Sequence, residues 1–364
     1  VFLPFRKLGL IIVDEEHEPS FKQYDPAPRY HARNAAIVLA SLHGAKTLLG
    51  TATPSIESYH NAKIGKYGLV ELHERYEEMQ LPEILVVDMK EAYRKKQYEG
   101  HFSDVLIEKI NLALQQQEQV ILFQNRRGYA PFVECKACAY VPKCKNCDVS
   151  LTLHAAANTL NCHYCGYVER LPQDCPSCKA PDLRTRGFGT EKIEEEIKQF
   201  FPDARVMRMD LDTTRSKKGY ARIISAMERR QVDILIGTQM VTKGLDFEKV
   251  SLVGILNADN LLSFPDFRSY ERAFQLMAQV SGRAGRKHKK GLVVIQTYSP
   301  DNSVIQQVVH HDYQAMFDLQ IQERASFQYP PFYRMIQITL KHRDFKVIDQ
   351  AANELAATLR TAFG

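Results

Sequence analysis

Leu8-Gly-Leu-Ile-Ile-Val13 runs directly into Asp14-Glu-Glu-His17, an apolar segment set against three carboxylates and a histidine. A short continuous aliphatic run of this kind reads as a strand buried on both faces of a parallel sheet. Acidic residues at its end then lie at the carboxyl edge of the sheet, where open α/β folds bind their ligands. Carboxylates placed there suit phosphate chemistry: Asp14 would hold Mg²⁺ through its water shell, and Glu15 would orient and deprotonate an attacking water. Four residues alone describe a solvated acidic loop equally well. Their neighbours decide between the two.

A second apolar run, Lys46-Thr-Leu-Leu-Gly50, ends in Thr51-Ala-Thr53-Pro54, and Tyr30–Leu42 between the runs has helical spacing. Strand–helix–strand alternation gives an α/β layer architecture. It resumes with helix Leu106–Gln117, strand Val120–Phe123, helix Thr190–Phe201, strand Arg205–Met209 and helix Tyr220–Arg230. Strands Val232–Ile236 and Val250–Leu256, helix Ser269–Val280 and strand Leu292–Gln296 follow. One long helix is expected from Asn302 to the stiff Tyr329-Pro-Pro331, and then a strand, Arg334–Leu340. The expected divisions are 1–80 and a second lobe of 81–134 with 182–300, an insert at 135–181, and a further small α+β domain starting at 301–364. Val1 in place of Met, and a helix-like stretch running to Gly364, lead to the expectation of a fragment.

Gln279-Val-Ser-Gly282-Arg283-Ala-Gly285-Arg286 places two arginines three apart on a glycine-loosened segment after a helix. Planar guanidinium groups able to reach developing phosphate charge form an arginine-finger arrangement. A basic surface turn would not account for this string together with Asp14-Glu-Glu-His17. Thr51 and Thr53 could relay movement through their hydroxyls. Gly237-Thr-Gln-Met-Val-Thr-Lys243-Gly-Leu-Asp246-Phe247 could offer N–H groups, Thr238, Thr242 and Lys243 to a phosphate backbone. Phe21, Tyr24, Tyr30 and His31, interleaved with Lys22, Arg29 and Arg33, form an aromatic and basic stretch suited to gripping a single strand by stacking and charge. A nucleoside-triphosphate motor also needs G-x-x-x-x-G-K-[ST]. Gly44-Ala-Lys46-Thr47 does not supply it, so the phosphate loop is expected before Val1, and this chain by itself is expected not to turn over ATP.

All 8 cysteines fall in four Cys-x-x-Cys pairs: Cys135/Cys138, Cys144/Cys147, Cys162/Cys165 and Cys175/Cys178. Each pair presents two thiolates to a tetrahedral zinc, so two four-cysteine sites are expected. A disulfide framework belongs instead to small secreted domains. Five residues separate Cys138 from Cys144 and fourteen separate Cys147 from Cys162. The second and third pairs should share one zinc, and the first and fourth should close the other around it. Lys143, Lys145, His154, His163 and Tyr164 give the insert a surface for nucleic acid or a partner, or simply a solvated face.

The 364 residues, 45% hydrophobic, are enough for two or three cores. A net charge of +5 and a pI near 8.6 permit a nucleic-acid partner without requiring one. No apolar run reaches the roughly 20 residues that span a bilayer, so a cytosolic, non-membrane protein is expected.

These strings, in this order, resemble superfamily 2 helicases, with two RecA-like parallel-sheet lobes flanking an ATP cleft. The cysteine ladder, Asp14-Glu-Glu-His17 with Tyr30-His-Ala-Arg33, and Asn125-Arg-Arg-Gly-Tyr129 resemble in particular the PriA family, the bacterial primosomal protein N′ helicases of replication restart. The likeness runs from Asp14 to Tyr333. It implies a 3′-to-5′ ATP-dependent DNA helicase acting on stalled forks and driving primosome assembly. It implies nucleotide contacts at Gly244, Asp246, Gln279, Arg283 and Arg286, DNA contacts at Arg126 and Arg127, and an aromatic loop over Phe21–Arg33. Forked and single-stranded DNA, single-stranded-DNA-binding protein and other primosome proteins are the implied partners, in a bacterial cytoplasm. The family's loop commonly carries tryptophan, which this chain lacks. A non-enzymatic fork-binding scaffold, or a different superfamily 2 motor such as an RNA helicase, are the competing readings.

Overall fold

The computed structural model describes the chain except residues 1, 73, 75–79, 125–131, 136–137, 139, 148, 155–156, 163, 182, 186–189, 211–212, 215, 243–246, 286–289 and 364, and the side chains of 184, 185, 217, 242 and 345. It forms two compact units, Val1–Glu323 and Arg324–Gly364.

In the first unit, β1 (Leu10–Asp14) pairs in parallel with β2 (Lys46–Gly50), and α1 (Ala32–Leu42) connects them. The register sets Asp14 opposite Gly50, so the acidic motif and Thr51 leave the same edge. The helix starts two residues later than its apolar spacing predicts, because His31 is held extended by a bridge to Lys22. Ser55 caps α2 (Ile56–Lys63), its hydroxyl accepting from Ser58 N.

Next come β3 (Glu83–Asp88), α3 (Met89–Lys95), the short hairpin β4 (Tyr98–Glu99) and β5 (Phe102–Ser103), α4 (Asp104–Gln115) and β6 (Gln119–Phe123). The cysteine insert contributes β7 (Val133–Cys135), β8 (Thr152–His154), β9 (Thr159–Asn161), β10 (Val168–Arg170) and β11 (Leu183–Thr185). After it stand α5 (Thr190–Phe200), β12 (Val206–Met209), α6 (Lys217–Glu228), β13 (Ile234–Gly237), β14 (Val250–Ile255), α7 (Asp259–Leu262), α8 (Ser269–Ser281) and β15 (Leu292–Thr297).

Six of these strands form one all-parallel sheet in the order β12-β13-β6-β14-β15-β3. Alternation along β6 sends Val120 and Leu122 to one core, with Leu106 and Ile110 of α4 and Ile193 and Ile197 of α5. Ile121 and Phe123 face the other core, with Ile223 of α6 and Ala273, Phe274 and Met277 of α8. Ile56 and Tyr59 of α2 are buried in that same core, so apolar packing joins the β1–β2 segment to the six-stranded sheet. Gly254 allows close packing on β14: a Cβ there would lie 2.9 Å from Leu122 Cδ2.

Two expectations fail. The long helix from Asn302 is two, α9 (Ser303–Val309) and α10 (Tyr313–Ser326), because His311 adopts a left-handed φ of 53° between them. Arg334–Leu340 forms no strand: no described segment pairs with it, and an unpaired run cannot make a ladder. The second unit's regular element is α11 (Phe345–Phe363). The edge strand β3 is an addition to the expected strands, built from Ile84-Leu-Val-Val87, which has the same aliphatic character as its neighbours.

Candidate active site and metal centres

Helix α8 carries Glu271, Gln275 and Gln279 at four-residue spacing, which puts them on one face. Buried Glu271 Oε1 accepts from Ile56 N at 2.9 Å. Gln275 Nε2 donates to Thr53 O at 3.4 Å and Pro54 O at 3.2 Å. Gln279 Nε2 reaches His17 Nε2 at 2.7 Å. One polar stripe thus holds the acidic motif and the Thr51–Ser55 turn. Arg283 lies one further turn along, after Gly282 ends the helix. Glu271 and Gln275 are missing from the sequence reading, although their spacing from Gln279 signals them.

The four residues of the acidic motif do four different things. Asp14 is exposed, its Oδ1 accepting from Glu15 N at 3.0 Å. Glu15 sits at a left-handed φ of 48°, a conformation uncommon outside glycine, with its side chain 45% exposed. Glu16 is buried and takes Arg33 Nη1 at 2.5 Å, Ser55 N at 2.7 Å and Ser58 Oγ at 2.9 Å. His17 is buried as well. The Gln279 amide donates to its Nε2, which places the proton on Nδ1, 2.7 Å from Thr51 Oγ1. Thr51 Oγ1 lies 3.5 Å from Glu15 Oε2. A polar line therefore runs from α8 through His17 and Thr51 to the Glu15 carboxylate. Thr53, expected to share the relay, has a buried hydroxyl with no hydrogen-bond partner among the described residues.

Asp14 and Glu15 present hard carboxylate oxygens at a sheet edge, the donor type that Mg²⁺ takes. When bound, Mg²⁺ would neutralise charge on a phosphate.

The aromatic stretch is a self-bonded loop. Lys22 Nζ donates to Arg29 O at 2.6 Å, Arg29 Nε to Tyr24 O at 2.7 Å, and Gln23 Nε2 to Pro26 O and Pro28 O. Tyr24 stands out at 64% exposure, while Phe21 is half-buried and Tyr30 packs edge-on against Phe2. Burial, with help from Arg33 and Lys22, lowers the His31 pKa to about 4, so it is neutral at physiological pH. Arg33 corrects its expected role: its guanidinium turns inward to Glu16, Ser55 and Ser58 instead of outward to a phosphate. Thr238, at the end of β13, is buried. Arg126, Arg127, Lys243, Gly244, Asp246 and Arg286 lie outside the described residues, as does His163, and so does the side chain of Thr242.

The thiols gather as Cys135, Cys138, Cys175 and Cys178, and as Cys144, Cys147, Cys162 and Cys165. This is the nested arrangement. Sulfur atoms lie 3.6 Å apart for Cys135–Cys178, 3.6 Å for Cys138–Cys175 and 3.5 Å for Cys144–Cys165. Tetrahedral zinc with Zn–S bonds of about 2.3 Å would set its sulfurs about 3.8 Å apart, so both donor sets fit that ion. Burial pushes the Cys138 thiol up to about 12 and that of Cys144 up to about 11, and neighbouring thiols add to both shifts. A cation is what would let such groups ionise together.

The first set stands at the root of the insert, where β7 and β11 pair antiparallel. The second holds the β8–β9–β10 sheet over a small core of Val133, Val149, Leu151 and Leu160.

Known families match the second cysteine set and the part of the chain that follows the insert. A family described as the PriA DNA helicase Cys-rich region (CRR) domain matches residues 144–170, and the helicase conserved C-terminal domain matches 187–288. The replication restart protein PriA of Bacillus subtilis (strain 168) is 45% identical over 364 residues, all of this chain and 45% of the relative. The PriA of Synechocystis sp. is 42% identical over 98% of this chain and 44% of its own, and that of Rickettsia conorii 44% over 93% and 52%. The chain thus spans about half the length of the curated relatives it matches. Among solved structures, RecG bound to a three-way DNA junction has a TM-score of 0.44 and 12% identity, over 88% of this chain and 30% of that one. With a helicase C-terminal RecA-like fold and a PriA-type Cys-rich region spliced into it, this chain belongs to the PriA family of replication restart proteins.

Proposed function

We propose that this chain supplies the water-activating edge and the arginine-bearing lobe of an ATP-dependent DNA helicase moving 3′ to 5′, which opens stalled forks and drives primosome assembly. The observation that carries the reading is the 2.7 Å contact between His17 and Gln279, 262 residues apart, which ties the acidic motif to the Gln279–Arg286 string. Asp14 would hold Mg²⁺, which when bound would neutralise charge on the phosphate end. Glu15 accepts a proton from the attacking water, and the His17–Thr51 line keeps Glu15 in place. Arg283 and Arg286 meet developing phosphate charge. Loss of that charge after hydrolysis releases the α8 stripe from the 53–56 turn, and DNA advances with the relative motion.

In this reading Tyr24 and Arg29 of the aromatic loop, together with Lys22, Phe21, Tyr30, His31, Arg126, Arg127, Thr238 and Lys243, line the DNA path. Two structural zinc ions hold the insert. Forked and single-stranded DNA, single-stranded-DNA-binding protein and primosome proteins are its partners in the bacterial cytoplasm. No described helix is long and apolar enough to cross a membrane, which fits that setting.

The test is Glu15→Gln in the full-length protein. ATP turnover should fall about 100-fold or more with fork binding unchanged, and retained turnover would refute the assignment. The chain alone, which carries no phosphate loop, should not hydrolyse ATP; robust DNA-stimulated hydrolysis by it would overturn that expectation. A scaffold without motor activity predicts no ATP-driven unwinding by the unsubstituted protein.

A further inference from the structure

The two cysteine clusters differ in what they touch. The root cluster closes onto β7 and β11, the strands by which the insert enters and leaves. The tip cluster folds back onto the segment between α7 and α8. Phe267 of that segment packs into the insert's own core beside Tyr164, which lies between the ligands Cys162 and Cys165. The two rings meet edge to face at 6.0 Å, and Phe267 N donates to Tyr164 Oη at 3.4 Å. A second contact runs alongside: Lys143 Nζ lies 2.9 Å from Tyr270 Oη. The guanidinium of Arg268 sits 4.1 Å over the Phe267 ring and donates to Glu57 Oε1 of α2 at 2.8 Å. One turn on, Glu271 holds Ile56 N.

We infer that the tip cluster is a strut for the 53–56 turn. Through Tyr164 and Phe267 it sets the Asp266–Tyr270 segment, and with it the Arg268–Glu57 ion pair that fastens α2 and the 53–56 turn. The root cluster only closes the neck. Tyr164, Phe267 and Arg268 are therefore positioning residues for the edge that carries Glu15. Packed rings and a charged pair in series transmit a displacement because each link has little room to relax. The inference rests on the two-zinc reading but not on the helicase reading.

Hydrogen exchange on the zinc-loaded full chain tests it, with zinc counted in every sample. Tyr164→Ala, which keeps all eight thiols, should retain two zincs while amides of Ser55–Ser58 exchange about 10-fold faster and those of β6 and β13 stay unchanged. Phe267→Leu leaves the knuckle untouched and should do the same, which covers the case in which Tyr164→Ala unsettles the site. Cys178→Ser should loosen β7 and β11 and, because Val133 of β7 shares the small core with Phe267, should speed exchange at Ser55–Ser58 much less than the first two variants do. Unmoved exchange at Ser55–Ser58 in the first two variants, with both zincs present, would overturn the strut. Equal loosening there by Cys178→Ser would do so too. Absence of zinc from the unsubstituted chain would bring down the two-zinc reading itself.

Discussion

The two parallel sheets of the first unit are built from similar aliphatic runs and are held in opposite ways. In the six-stranded sheet, β6 and β13 are buried along their whole length and lie between two apolar cores. In the β1–β2 pair, Leu10, Ile12 and Leu48 remain 52%, 63% and 55% exposed. Beyond its strands the smaller sheet is fastened by Ile56 and Tyr59 of α2 in the large core and by directional polar groups: Glu16 with Arg33 and Ser55, Glu271 with Ile56, and His17 with Gln279. Apolar burial is non-directional and tolerant of small shifts, whereas hydrogen bonds fix distance and angle. The acidic motif itself, with the candidate water-activating group, is held by the directional kind.

The sharpest way to break this contrast is to remove apolar mass from both sheets. Phe123→Ala should cost about 3–5 kcal/mol through a cavity in the core, whereas Leu48→Ala should stay within about 0.5 kcal/mol. Denaturant midpoints measure both, and similar losses would mean that the smaller sheet depends on its apolar face. Glu16→Gln should cost about 3 kcal/mol, because Arg33 would be left buried without its counter-charge. That loss should appear as faster exchange over Ser55–Ser58 with β6 unmoved. Adding Arg33→Met should recover part of it, and a neutral Glu16→Gln would show that the pair does not fasten the turn.

Gln279→Ala removes one hydrogen bond, worth about 1 kcal/mol, and should loosen the 51–56 turn without lowering the midpoint of the large sheet. An equal fall in both would make Gln279 a core residue and not a tie. The smallest effect concerns pH. His31 protonates near 4 in the folded chain against 6.5 for an unperturbed histidine, so between those values the unfolded chain binds more protons. Stability should therefore fall as pH drops through that window, and His31→Asn should flatten the slope. An unchanged slope would place the titration elsewhere.

Much of this architecture is legible in the residues. The aliphatic runs at 120–123 and 250–256 mark strands, since a short run bounded by polar residues has few other ways to be buried. Those at 8–13 and 46–50 also form strands, but the burial on both faces expected of them is not found, because Leu10, Ile12 and Leu48 stay exposed. Gln279 is legible as important, but its partner is not. The string points to nucleotide, while the described side chain meets His17. Arg33 is misread for a related reason. It stands next to aromatic residues in sequence, yet its charge is met by Glu16 on the other side of the loop. The break at His311 escapes detection because apolar spacing continues across it, and one left-handed residue is enough to separate α9 from α10.

By itself the sequence determined the cysteine clusters, the α/β alternation and the presence of an acidic strand end. Each depends on neighbours within a few residues or on spacing along a short loop, where chain connectivity limits the choices. Only the tertiary structure decided that Glu271, Gln275 and Gln279 form one stripe, that Arg33 points inward, and that the tip cluster rests on Phe267. Those pairings join side chains distant in the chain, and which of many possible partners they meet is settled by how the apolar cores pack.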